Sequence, residues 1–118
     1  MPARTASPEP SGPRHRNEVL LRGLVATAPQ ERVLADGHRV VVFRLAVDRD
    51  PYAGGGGGQD SVECSGGTPR VRRAAARWRP GDAVEVAGAL RRRFYRAGAA
   101  SRPFTLVEVE RARRLGRG

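Results

Sequence analysis

Polar and apolar residues alternate from the first ordered-looking stretch onward. Between Asn17 and Ala28 the positions Val19, Leu21, Gly23 and Val25 repeat every second residue, the pattern of a half-buried strand. Gly23 inside it marks a bend or bulge. A short extended piece follows over Gln30–Leu34. Ala35-Asp36-Gly37-His38 predicts a hairpin turn, because Asp and Gly accept positive φ. The run from His38 to Val47 is apolar and β-branched and predicts a second strand. Val41, Phe43, Leu45 and Val47 share one face of it, and Val42, Arg44 and Ala46 the other. Residues 48–59 hold Pro51 and five consecutive glycines, Gly54 to Gly58, and predict a long hairpin loop. Asp60–Ser65 is a short third strand.

The period then changes. Thr68 is a candidate N-cap with Pro69 at the first helical position. Val71, Ala74, Ala75 and Trp78 follow i, i+3, i+4, i+7 spacing, which predicts a helix ended by Pro80-Gly81-Asp82. Alternation returns over Ala83–Tyr95, a long fourth strand, and over Phe104–Arg111, a fifth, with a loop at 96–101 between them. In the fourth strand Val84, Val86, Gly88 and Leu90 face the core. Glu85, Ala87, Ala89, Arg91, Arg93 and Tyr95 face out. Three strands, a helix and two strands predict an all-β, five-stranded Greek-key OB barrel with its one α-helix between strands 3 and 4. Another kind of small β-barrel is the alternative. Residues 1–16, rich in Pro, Ser and Ala, are expected as a disordered tail, 17–115 as the OB domain and 116–118 as a short tail. The first strand is expected to be an exposed edge that needs a partner.

Charge adds a partner class to this fold. The 118 residues carry a net +10, and all the basic residues are arginines. Residues 70–102 alone hold ten of them against Asp82 and Glu85, whereas residues 17–69 are net −2. Genome bias toward GC explains the absence of Lys and explains this clustering less well. A localised basic field selects a polyanion. On the fourth strand, Arg91 and Arg93 lead along the outer face to Tyr95: cations for phosphates, then a ring on which any base can stack. Trp78 and Phe43 are expected in the core, Phe104 in packing, and Phe94 is ambiguous between core and surface.

Catalytic chemistry has few candidates. His15 and His38 have no cysteine or carboxylate cluster about them, and the single cysteine, Cys64, falls inside a strand. Asp48, Asp50 and Asp60 flank the glycine loop as solvated acids. The glycine run lacks the Lys-Ser/Thr that completes a P-loop. No enzyme activity, metal or cofactor is expected. No apolar run approaches the roughly 18 residues of a membrane span, and a cytoplasmic, nucleoid-associated protein is the expectation.

Three stretches resemble bacterial single-stranded DNA-binding proteins (SSB), in order and spacing. They are NEVLLRG (Asn17–Gly23), ADGHRVVVFRLAV (Ala35–Val47) and PGDAVEVAGALRRRFY (Pro80–Tyr95). The resemblance implies an OB fold, sequence-independent binding of single-stranded DNA in replication, repair or recombination, and assembly as a homotetramer or homodimer. It makes Tyr95 a stacking ring, sets Tyr52 at or beside another, and matches Arg91 and Arg93 to basic positions. Arg44, Arg96 and Arg22 complete the expected DNA-binding set. Two of the family's aromatic positions fall near Ser61 and Gly67 and are lost. The chain ends on basic residues where the family has an acidic tip, so recruitment of repair enzymes through such a tip is not expected. A barrel that docks an acidic protein partner, or one that binds RNA, is the alternative.

Overall fold

The computed structural model describes residues 14–50, 57–97 and 100–117, with backbone register alone at 95–97, 100 and 101. Most of the expected N-terminal tail, Tyr52 and Gly54 to Gly56 lie outside the described residues. Among the described residues the elements are β1 (Val19–Val33), β2 (Arg39–Asp48), β3 (Gln59–Gly66), α1 (Pro69–Ala75), β4 (Asp82–Ala97) and β5 (Ala100–Arg117). The strands close into a barrel in the order β1-β2-β3-β5-β4, β4 returning to β1. Neighbours are antiparallel except β3 and β5, which run parallel. This is the OB topology that the alternation predicts.

The core is the predicted one except at Ala89, which is expected to face out and is only 6 % exposed. Val41, Phe43 and Leu45 of β2, Val84 and Val86 of β4, and Val107 and Val109 of β5 are all buried. Trp78 sets its ring edge-on to Phe43, with centroids 5.2 Å apart and planes at 88°. The Asp36-Gly37 turn forms as expected, with Gly37 at φ 90° and Leu34 N–H donating to the His38 carbonyl at 2.7 Å.

Two motif residues owe their identity to close approach. A Cβ at Gly88 would run into the Glu108 carbonyl of β5, where the β4–β5 register shifts. One at Gly23 would stand 2.6 Å from the Ala46 carbonyl. Asn17 uses its side chain as one further rung of the β1–β4 ladder: its Nδ2 donates to the Leu90 carbonyl at 2.7 Å, and its Oδ1 accepts from Leu90 N–H at 2.8 Å.

Four expectations need correction. The first strand and the piece after it are one 15-residue strand, its pairing shifted around Ala28-Pro29; Pro29 has no N–H to give a ladder. β1 is not an unpaired edge: Val19–Leu24 pairs with β4 and Leu24–Val33 with β2. The helix ends at Ala75, short of Pro80. Arg77 and Trp78 N–H groups bond the Ala74 and Ala75 carbonyls at 3.2 and 3.0 Å, a tightening to i→i+3 turns that carries Trp78 past the helix and into the core. Finally, β4 and β5 continue through the expected loop to Ala97↔Ala100, and β5 runs on to Arg117. Beyond the barrel these strands form a two-stranded arm held by backbone pairing; its residues 92–94 and 102–104 are exposed, and no hydrophobic alternation announces it. Leu90 stands where β4 enters this arm. It keeps core parity, opposite Val107, yet is 49 % exposed.

Candidate nucleic-acid interface

The barrel register assembles one outer wall from five strands. Thr27, Gln30 and Arg32 of β1 stand opposite Arg44, Val42 and Val40 of β2. Val42 and Arg44 face Ser65 and Glu63 of β3, and Ser65 pairs with Glu108 of β5. Leu106 and Phe104 of β5 then stand opposite Arg91 and Arg93 of β4. A groove of about 320 Å³ runs along this wall, floored by Val40, Val42, Leu106 and Phe104 and flanked by Arg32 and Arg93. Leu34 and Phe94 line its rim. A shallower cleft with Thr27, Gln30 and Arg44 continues it.

The wall carries four guanidiniums and two carboxylates. Arg91 and Arg93 share Glu108, at 2.9 and 3.7 Å, and Arg44 meets Glu63 at 3.5 Å. These side chains are about half exposed, so each pair contributes little to stability. Their effect is positional: they hold guanidiniums upright beside an apolar floor while leaving the wall cationic.

Of the residues predicted from sequence, Arg44, Arg91 and Arg93 come together here. Tyr95 stands two register steps beyond Arg93 along the arm, opposite Arg102, and Arg96 opposite Ser101. Arg22 is elsewhere. It lies on the wall of β1, β4 and the end of β5, where it and Arg113 both grip Glu85, at 2.6 and 3.0 Å. Tyr52 lies outside the described residues. Sequence reasoning missed Phe104, Phe94, Arg32 and Leu106 as wall residues. Phe104 is a surface ring rather than a packing one because the β4–β5 register sets it opposite Arg93 on the outer face. Phe94 is 72 % exposed.

Other reactive groups are spoken for. The Cys64 thiol is fully buried, and burial, with Glu63 nearby, pushes its pKa up to about 12. It stays a thiol at neutral pH and is no nucleophile. Asp36 caps its own turn, accepting His38 N–H at 3.0 Å, which draws its carboxyl below the ordinary value. Asp60 pairs with Arg49 at 2.8 Å and Asp48 accepts from Gln59. Among the described residues no three metal-ligating side chains gather, and no helix is long and apolar enough to cross a membrane.

Two further carboxyls link the fold to pH. Glu85 is held below its ordinary value by hydrogen bonds from Arg22 and then Arg113. Asp82 is held down by the Arg79 backbone N–H and then by Arg114. The folded state therefore binds fewer protons than the unfolded one through the carboxylate range. Their contribution is complete above the ordinary carboxylate pKa and is lost as pH falls through the depressed folded values. Urea midpoints should hold between pH 7 and 6, fall below about pH 4, and fall less in Glu85→Gln. An acid limb as steep in E85Q as in the native chain would show that Glu85 has no part in it.

No protein-family model matches the sequence, and no curated protein matches it. Solved structures do. The Plasmodium falciparum SSB, in complex with ssDNA, superposes with a TM-score of 0.73 over 88 % of this chain and 98 % of that one, at 20 % identity. The small single-stranded DNA-binding protein of Streptomyces coelicolor gives a TM-score of 0.61 over 82 % and 92 %, at 28 % identity. Barrel topology and superposition define the class as an OB-fold protein. Within that class the chain is SSB-like.

Proposed function

We propose that this chain binds single-stranded DNA without sequence preference, along the wall of Arg32, Arg44, Leu106, Phe104 and Arg93. One observation carries the proposal: a solvent-facing aromatic and aliphatic floor, flanked on both sides by guanidiniums, on the outside of an OB barrel. The floor offers surface to any base, and the guanidiniums meet phosphates without reading sequence. Tyr95, two register steps further along the arm, and Arg96 belong to the same proposed path. The SSB-like fold supports the reading. The role is binding rather than catalysis, in the handling of exposed single strands during replication, repair or recombination, and assembly into a homodimer or homotetramer is part of it. Light scattering at micromolar concentration should show more than a monomer.

The test is a fluorescence-anisotropy titration with oligothymidylate, the matching duplex and oligouridylate. Oligothymidylate should bind best. Its affinity should fall with salt at a log–log slope of about −0.7 per phosphate, so four wall arginines give roughly −3. A flat salt response, or equal affinity for duplex, would refute phosphate contacts made along a single-strand groove.

A further inference from the structure

We infer that the barrel's closed end carries a second phosphate site, the cleft of Arg77, Arg79, Arg114 and Arg117 around Asp82, which takes the bound single strand after it leaves the wall. The inference rests on the proposed binding of single-stranded DNA and extends it to four arginines that lie outside the three SSB-like sequence stretches.

The cleft is built rather than accidental. Its volume is about 410 Å³, and Trp78 lines its inner side. Asp82, only 5 % exposed, is its one carboxylate. That carboxylate is already used twice, by the Arg79 backbone N–H at 2.9 Å and by Arg114 Nε at 3.2 Å. Engagement through Nε fixes Arg114 and leaves the terminal nitrogens of its fork for an anion. Arg77, Arg79 and Arg117 form no salt bridge among the described residues. Four cations against one satisfied carboxylate leave the cleft net positive, the charge that attracts a phosphodiester. A free carboxylate partner would also be attracted, but continuity favours the strand. The Pro80-Gly81 turn beside the cleft is stitched to β1 by the Gly81 N–H, which donates to the Val25 carbonyl at 2.8 Å. Two residues along β1, Thr27 faces Arg44 on the wall. On the inferred path a strand leaving the groove at Arg44 turns the end of the barrel toward Arg79 and Arg77. In the other direction the wall runs past Phe104 and Arg93 toward the β4–β5 arm. Arg114 lies ten residues along β5 from Phe104, about 33 Å at the strand rise, so only a longer strand reaches both.

The experiment uses the full chain and the double variant Arg77→Gln/Arg117→Gln, which keeps the Asp82–Arg114 pair. Two probes are titrated over a salt series, oligothymidylates of about 4 and about 16 nucleotides, spanning the range that one OB fold covers. Two arginines account for about 1.4 of salt slope on single strands, so the variant should lose that much with the longer probe and nothing with the shorter. Trp78, the sole tryptophan, should change its emission with the longer probe only. An unchanged slope for the longer probe overturns the inference. An equal loss for both probes also overturns it, because the arginines then act through the general field. Oligoglutamate that binds the native chain and is lost in the variant, with DNA binding intact, assigns the cleft to an acidic protein instead. Failure of the native chain to bind even the shorter probe refutes the wall as well, which separates the two readings.

Discussion

Replacing Trp78 by alanine should destabilise the barrel by about 3–5 kcal/mol, the range for emptying a large aromatic site in a core. The ring is 5 % exposed, packs edge-on against Phe43 and closes the end of the barrel behind α1. Its loss removes the aromatic pair along with the buried area, and Phe43 cannot follow it without leaving β2. Urea unfolding followed by circular dichroism measures the change. The variant's affinity for a short oligothymidylate, per folded molecule, should stay near native, because Trp78 has no place on the wall. A native melt with weakened short-probe binding would mean that the ring serves the ligand and not the core.

Truncating Phe104 to alanine should do the opposite. The side chain is 37 % exposed on the outer face, so folding should change little. Affinity for oligothymidylate should fall by about 1–3 kcal/mol, the usual worth of one stacking platform. Tyr95→Ala should cost a similar amount if the path continues up the β4–β5 arm. The double variant, F104A with Y95A, then tests whether the two act on one strand: losses that add mean separate bases on separate rings. Native affinity in both single variants, with the fold intact, would remove the wall from consideration and direct attention to the arginine cleft.

The wall shows how far a linear pattern reaches. Arg91 and Arg93 were legible because β4 alternates cleanly from Val84 onward, and parity alone sends them outward. Phe104 was not legible. Its position depends on which β4 residue it opposes, and the register shift at Gly88, where Glu108 backs onto a residue without a Cβ, decides that. Arg32 was hidden for a similar reason, since the irregular pairing around Pro29 sets which face Gln30 and Arg32 present. Arg22 looked equivalent to the other candidates in sequence, yet barrel closure put it on another wall against Glu85.

Sequence by itself determined the order of elements, the aliphatic core, the Thr68 cap, the Asp36-Gly37 turn and the sign of the charge. Each of these follows from interactions local in the chain or from a period of two or 3.6 residues. Only the tertiary structure decided that the barrel closes through β1 and β4, that the helix stops at Ala75, and that β4 and β5 run on as an arm. It also decided which arginines share a surface. Those outcomes turn on contacts between residues far apart in sequence: Asn17 with Leu90, Gly88 with Glu108, Trp78 with Phe43, Asp82 with Arg114. Such contacts leave no periodic trace, because each depends on a register that the whole barrel fixes at once.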